Sequence, residues 1–131
     1  MEYIVIFSMT ALMIIPMLLI FLTQTNNLKQ EIVNSQIDKI GNKIVDSAEE
    51  VYYMGYPAKK TIKAIFPEGI DSIDITGETL TFIMGQSGST YEILKIANMN
   101  MTGTIKSYEG IHYIILEAKI SGQVQISEKE E

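Results

Sequence analysis

No cysteine, no tryptophan and no arginine occur in the 131 residues of this chain, and histidine occurs once. Without cysteine there is no disulfide framework, no thiolate metal site and no thiol nucleophile. The single histidine, His112, removes multi-histidine metal centres and most triad arrangements. All ten basic residues are lysine, so no guanidinium fork exists to read phosphates or carboxylates. A net charge of −6 argues against a nucleic-acid partner. No nucleophile, base and orienting group can be assembled from what remains, and the sequence reads as a non-enzyme without cofactor or metal. Charge is also scarce in one place: before Lys29 the only charged side chain is Glu2.

That scarcity coincides with the longest apolar run. Tyr3 to Leu22 contains only Ser8 and Thr10 as polar residues, and at ~1.5 Å per residue the run is long enough to cross a hydrocarbon core of ~30 Å. A secretory signal peptide has a basic start, a shorter apolar core and a small-residue cleavage site, none of which this run has. The helical spacing continues beyond it. Val33, Ile37, Ile40, Ile44, Ala48 and Val51 follow at steps of three and four, which puts them on one stripe of a 3.6-period helix. Asn34, Asp38, Asn42, Asp46 and Glu49 fall on the other side. Gly55 and Pro57 form the first strong stop. The spacing therefore predicts one helix from about Glu2 to Met54, roughly 75 to 80 Å long.

After Pro57 the period becomes two: Ile62, Ala64 and Phe66 alternate with Thr61, Lys63 and Ile65. The turns EGID, TGE, QSGS and YEG then separate DSIDIT, LTFIM, TYEILKIA, MTGTIK, IHYIILEAKI and GQVQIS. Six or seven short strands predict an antiparallel sandwich, or a sheet packed on the helix stripe. The expected class is α+β, a long N-terminal helix followed by a small antiparallel, β-sandwich-like (Ig-like) head. Residues 1–55 form the helix, with 1–23 as its membrane or filament-core part and 24–55 as the amphipathic part packing on the head; residues 56–131 form the β-rich head.

A few residues invite a role. Glu2 is either an interfacial carboxylate at the end of a spanning helix or a partner for an amino group on a neighbouring helix, which would set axial register. Pro16 removes an intrahelical hydrogen bond, at ~3 kcal/mol in a soluble helix, and is better tolerated among packed helices or in lipid. It marks either a kinked anchor or a point of compliance. Asn100-Met101-Thr102 is an N-glycosylation sequon. Glu68, Asp71, Asp74 and Glu78 lack calcium-loop spacing and read as a solvated strand edge. His112 reads as a structural histidine at the sheet margin. Tyr52, Tyr53 and Tyr56 are expected to pack the junction of helix and head, a contact to a neighbouring subunit being the alternative.

The MEYIVIF start, the uncharged helix running into an amphipathic half, the β-rich part after a Gly/Pro break and the stretch VDSAEEVYYMGYPAKKTI together resemble the archaeal type IV pilins, filament subunits made with a class III signal peptide. The resemblance implies subunits that wait in the cytoplasmic membrane, lose a basic leader to a prepilin peptidase, and are packed helix to helix into an extracellular pilus by an assembly ATPase and a platform protein. Adhesion is the use it implies. Glu2 corresponds to the family's acidic residue near the start of the mature helix. The family's basic leader is not in the sequence, which is read as processed, shortened or started late. Independently of the resemblance, identical helices stacking through a heterologous contact give an open homo-oligomeric filament. The alternatives are a single-pass membrane protein with a β-sandwich binding ectodomain, and a minor pseudopilin of a secretion or uptake machine.

Overall fold

The computed structural model describes residues 1–86 and 88–129, with residues 26, 27 and 86 described by their backbone alone. Its elements are α1 (Glu2–Met54), β1 (Lys59–Phe66), β2 (Ile70–Gln86), β3 (Ser89–Gly103), β4 (Gly110–Ala118) and β5 (Val124–Glu128). The chain divides into two compact units, Met1–Asn34 and Ser35–Glu131, with the boundary inside α1. The first unit is helix alone. The second holds the rest of α1 and all five strands.

The expected α+β class is what the structure has. In the second unit the strands form one sheet in the order β1-β4-β5-β3-β2. Every pairing is antiparallel except β3 with β5, which run parallel over Met101–Gly103. Opposite this sheet lies the helix stripe, in the place a second sheet would take in a sandwich. Ile37, Ile44, Ala48 and Val51 are completely buried, and Ile40 and Val45 nearly so. The period-two pattern of β1 supplies the other side of the seam: Ile62, Ala64 and Phe66 are buried, while Thr61, Lys63 and Ile65 face water. Ile114 and Leu116 on β4, Val124 and Ile126 on β5, Leu80, Phe82 and Met84 on β2, and Ala97, Met99 and Met101 on β3 are buried with them. Each large apolar side chain buried here contributes about 1.5–3 kcal/mol.

Gly41 marks a close approach of helix and sheet. A Cβ at this position would stand 2.8 Å from Lys95 Cγ and 3.3 Å from a Phe82 ring carbon. The Lys95 ammonium pairs with Asp38 one helical turn away, and Asn98 Nδ2 donates to Glu49 Oε1 at 3.2 Å. On the other flank Lys60 pairs with Glu50, and Lys43 Nζ donates to the Lys63 carbonyl of β1 at 2.7 Å. Such exposed ties are worth little individually. The Lys43 contact does occupy an acceptor on an edge strand, which blunts that edge against further pairing.

The six runs separated by turns in the sequence are regrouped in space. A straight strand of β2's length would hold its ends roughly 50 Å apart, yet Gly85 N–H donates to the Gly69 carbonyl at 2.9 Å. The segment therefore reverses within itself. Gly77 lies at its midpoint with φ 58°, a conformation that costs glycine nothing. DSIDIT and LTFIM are the two arms, and TGE is the turn between them. TYEILKIA and the start of MTGTIK, in contrast, fuse into β3. Residues 97–100 absorb a shift in register between Thr79↔Ile96 and Gly77↔Met101.

Gly103 holds the parallel β3–β5 contact. Its φ is 134°, and a Cβ there would lie 1.8 Å from the Ile126 carbonyl oxygen. Gly103→Ala is therefore expected to destabilise the second unit by ~3 kcal/mol or more, because backbone rather than a movable side chain must yield. Gln125→Ala, on the exposed face of β5, is expected to stay within ~0.5 kcal/mol. Urea unfolding of the full chain in detergent, followed by amide exchange in β5, measures both. Equal midpoints for the two variants would contradict this account of the β3–β5 contact.

Candidate functional site

Two places concentrate unusual physics. One is the first unit. From Tyr3 to Leu22 every large apolar side chain is between 49 and 86 % exposed. The most apolar 18-residue window of α1 has a mean hydropathy of 2.7 and none of it is buried. This continuous run of exposed apolar side chains exceeds the few hundred Å² of the largest patch on an ordinary soluble monomer. Its exposure to water costs on the order of tens of kcal/mol relative to an apolar surrounding. The helix is long and apolar enough to cross a membrane.

The few polar groups in this stretch are adapted to such a surrounding. Ser8 and Thr10 hydroxyls donate to the carbonyls of Ile4 and Ile6 at 2.8 Å, and Thr23 and Thr25 to those of Leu19 and Phe21 at 2.9 Å. Each hydroxyl is thus satisfied within its own helix, as a hydrocarbon or a packed helical bundle requires. Pro16 lies within the unbroken helix and supplies no N–H to the turn before it. Glu2 stands in the first turn, exposed, where the unpaired N–H groups of the helix favour an anion. No ion pair holds Glu2 among the described residues.

The second place is a polar cluster in the sheet. His112 on β4 is buried, its ring stacked on Phe66 at 4.1 Å. Nε2 stands 2.6 Å from the Tyr108 carbonyl oxygen, which only accepts, so Nε2 donates. Nδ1 lies 2.7 Å from Glu128 Oε1, off the line of an aligned hydrogen bond. Glu128 also accepts from the Tyr108 hydroxyl at 3.0 Å and from the Lys106 N–H at 3.1 Å. The cluster clasps β5 to β4 and to the segment before it. His112 is structural, as its sequence setting suggests, but it sits on a strand flanked by β1 and β5 rather than at the margin of the sheet. Its partner Glu128 carries no signal in the sequence.

The remaining sequence candidates are not gathered into one site. Asn100 and Thr102 are exposed on β3 with Met101 buried between them, so the sequon is accessible. Tyr52, Tyr53 and Tyr56 do not pack the junction: they are 40, 74 and 58 % exposed, and Tyr52 and Tyr53 touch edge to face at 5.6 Å. The cause is phase. Val51 takes the buried position of the last helical turn, which turns its two neighbours outward. An open groove of about 480 Å³ between the helix and β1 is lined mainly by charged and polar residues, with Lys43 and Lys60 already engaged at its rim. Comparison with family models, curated proteins and solved structures gave no match.

Replacing His112 by alanine removes the ring that sits against Glu128 Oε1 and opens a void beside Phe66. His112→Ala is therefore expected to cost ~3 kcal/mol or more of stability and to speed amide exchange in β5 ahead of the other strands. A midpoint equal to that of the parent chain in urea would rule out the clasp.

Proposed function

We propose that this chain is the structural subunit of an extracellular archaeal type IV pilus, polymerising through its N-terminal helix and serving in surface adhesion. The observation that carries the reading is the wholly exposed apolar helix from Tyr3 to Leu22, with a lone carboxylate, Glu2, in its first turn. Such a surface has two physically equivalent refuges. Lipid accepts it in the single subunit, and copies of the same helix accept it in an assembly. The internally satisfied hydroxyls of Ser8, Thr10, Thr23 and Thr25 suit both.

Within a bundle of such helices, Glu2 has a role that lipid does not give it. A carboxylate among apolar helices is costly unless paired, and the amino terminus of a neighbouring copy is a partner of opposite charge. That pairing fixes how far one helix slides along the next. Pro16 then loosens a turn in the middle of the packed segment. Exposed Tyr52, Tyr53 and Tyr56 are available for contacts between copies, since tyrosine brings large area with a polar tip.

The second reading is a single-pass membrane protein whose sheet unit binds a partner while Tyr3–Leu22 stays in lipid. The same exposed helix favours it, and it separates from the first by one experiment. Cells are sheared, and the released material is examined by electron microscopy and N-terminal mass spectrometry. Filaments containing this chain are expected; a chain confined to the membrane fraction, with no filament containing it, refutes the pilus. Glu2→Ala is expected to lower filament yield at least about ten-fold, the equivalent of losing ~1.4 kcal/mol per contact, while membrane insertion, measured by carbonate extraction, is unchanged. Normal filament yield from that variant would reduce Glu2 to a bystander.

A further inference from the structure

Asn100-Met101-Thr102 is a sequence feature that neither functional reading uses. No other asparagine in the chain is followed two positions later by serine or threonine. The triplet lies near the end of β3, and the alternation of that strand decides how it is presented. Met99 and Met101 are buried in the core, so Asn100 and Thr102 both stand exposed on the opposite, outer face. The acceptor amide and the hydroxyl that completes the triplet are thereby shown together.

The neighbouring strands leave room at this point. Met101 is paired with Gly77 of β2, a residue without a side chain, and no other atom lies within 4 Å of where a Cβ would stand on it. Residues 97–100 absorb the register shift, so Asn100 itself faces no β2 residue in register. On the other side, β5 joins β3 only from Met101↔Val124 onward, and Gln123, just before β5, is exposed. Among the described residues neither Asn100 nor Thr102 has a side-chain hydrogen bond. Asn98, in contrast, is tied to Glu49 of the helix.

We propose that Asn100 is a modification site, N-glycosylated from a polyprenyl-phosphate-linked oligosaccharide by a membrane-bound oligosaccharyltransferase. The inference rests on the sheet unit lying outside the cytoplasmic membrane, where both functional readings put it. Asn100 Nδ2 forms a bond to the anomeric carbon of the donor while the bond from that carbon to the phosphate oxygen breaks. The lipid phosphate leaves with the electron pair, the amide gives up one proton, and nothing is oxidised or reduced. Thr102 supplies the hydroxyl by which the enzyme recognises the triplet. The fold accepts the product because a bulky, hydrophilic glycan on Asn100 projects from the outer face into water. A shift of one residue in the strand would aim it into the core in place of Met101.

Lys95 and Lys106 make the test direct, because trypsin cleaves after both and releases residues 96–106, with Asn98 and Asn100 as the asparagines inside. The full chain is taken from sheared material and from the membrane fraction of its own cells, and this peptide is weighed and fragmented by mass spectrometry. A mass increment of linked sugar residues on Asn100 is expected. Asn100→Gln and Thr102→Val are each expected to abolish it, while Thr102→Ser and Asn98→Gln keep it. Circular dichroism of Asn100→Gln is expected to match the parent chain, since residue 100 is exposed; the contrast of Thr102→Val with Thr102→Ser reads the site independently of that variant. A bare 96–106 peptide in both fractions overturns the inference. So does an increment that survives Asn100→Gln, or one indifferent to Thr102→Val. Filaments that carry the bare peptide sink this site and leave the pilus standing; a modified peptide in the membrane fraction, with no filament, does the reverse.

Discussion

Ile37, Ile44, Ala48 and Val51 are withdrawn from water against the inner face of the sheet, and the whole second unit is organised by that seam. The stripe is narrow, because only one side of this part of α1 is apolar. It therefore needs one flat apolar surface, and the alternating strands β1, β4 and β5 supply it with Ile62, Ala64, Phe66, Ile114, Leu116, Val124 and Ile126. Gly41 lets the two layers close where Phe82 and the stem of Lys95 cross the helix. With the stripe covering the sheet, the second layer of the fold is a helix. The charged ties at its flanks guide the helix more than they hold it, given how little an exposed ion pair contributes.

The same helix has a second, different apolar surface in the first unit. There the side chains are apolar all round, and no face is polar enough to meet water. Among the described residues nothing covers Tyr3 to Leu22. The functional proposal grows from that imbalance: a fold that satisfies its stripe locally and leaves its larger apolar surface to lipid or to copies of itself. The back-bonded hydroxyls and the single carboxylate at the helix start are the sparse polar chemistry such a segment can carry at low cost.

Much of the architecture is legible before any coordinates. Step sizes of three and four from Val33 to Val51 report a helical stripe, the alternation of Ile62, Ala64 and Phe66 reports a half-buried strand, and Gly55 with Pro57 reports the helix end, which falls at Met54. The class α+β follows from these. Three features are not legible, each for its own reason. Tyr52, Tyr53 and Tyr56 read as junction packing because aromatic residues favour burial, but the helical phase of Tyr52 and Tyr53 relative to Val51 points them outward, and Tyr56, past the helix end, is exposed too. The pairing of His112 with Glu128 links residues sixteen apart through a strand pairing that no local pattern encodes. The short parallel contact of β3 with β5, over Met101–Gly103, is a property of the sheet as a whole that no local pattern encodes.

By itself, then, the amino-acid order determined where each segment is apolar and with what period, and so which elements form and which of their faces seek cover. Those quantities are local: they depend on side-chain transfer free energies and on the geometry of 3.6- and 2-residue repeats. Tertiary structure alone decided which cover each face receives. The stripe took the sheet, His112 took Glu128, β2 folded back at Gly77, and β5 met β3 only over Met101–Gly103. These outcomes are competitions among surfaces distant in sequence, and they are settled by which surfaces fit together once the chain is compact.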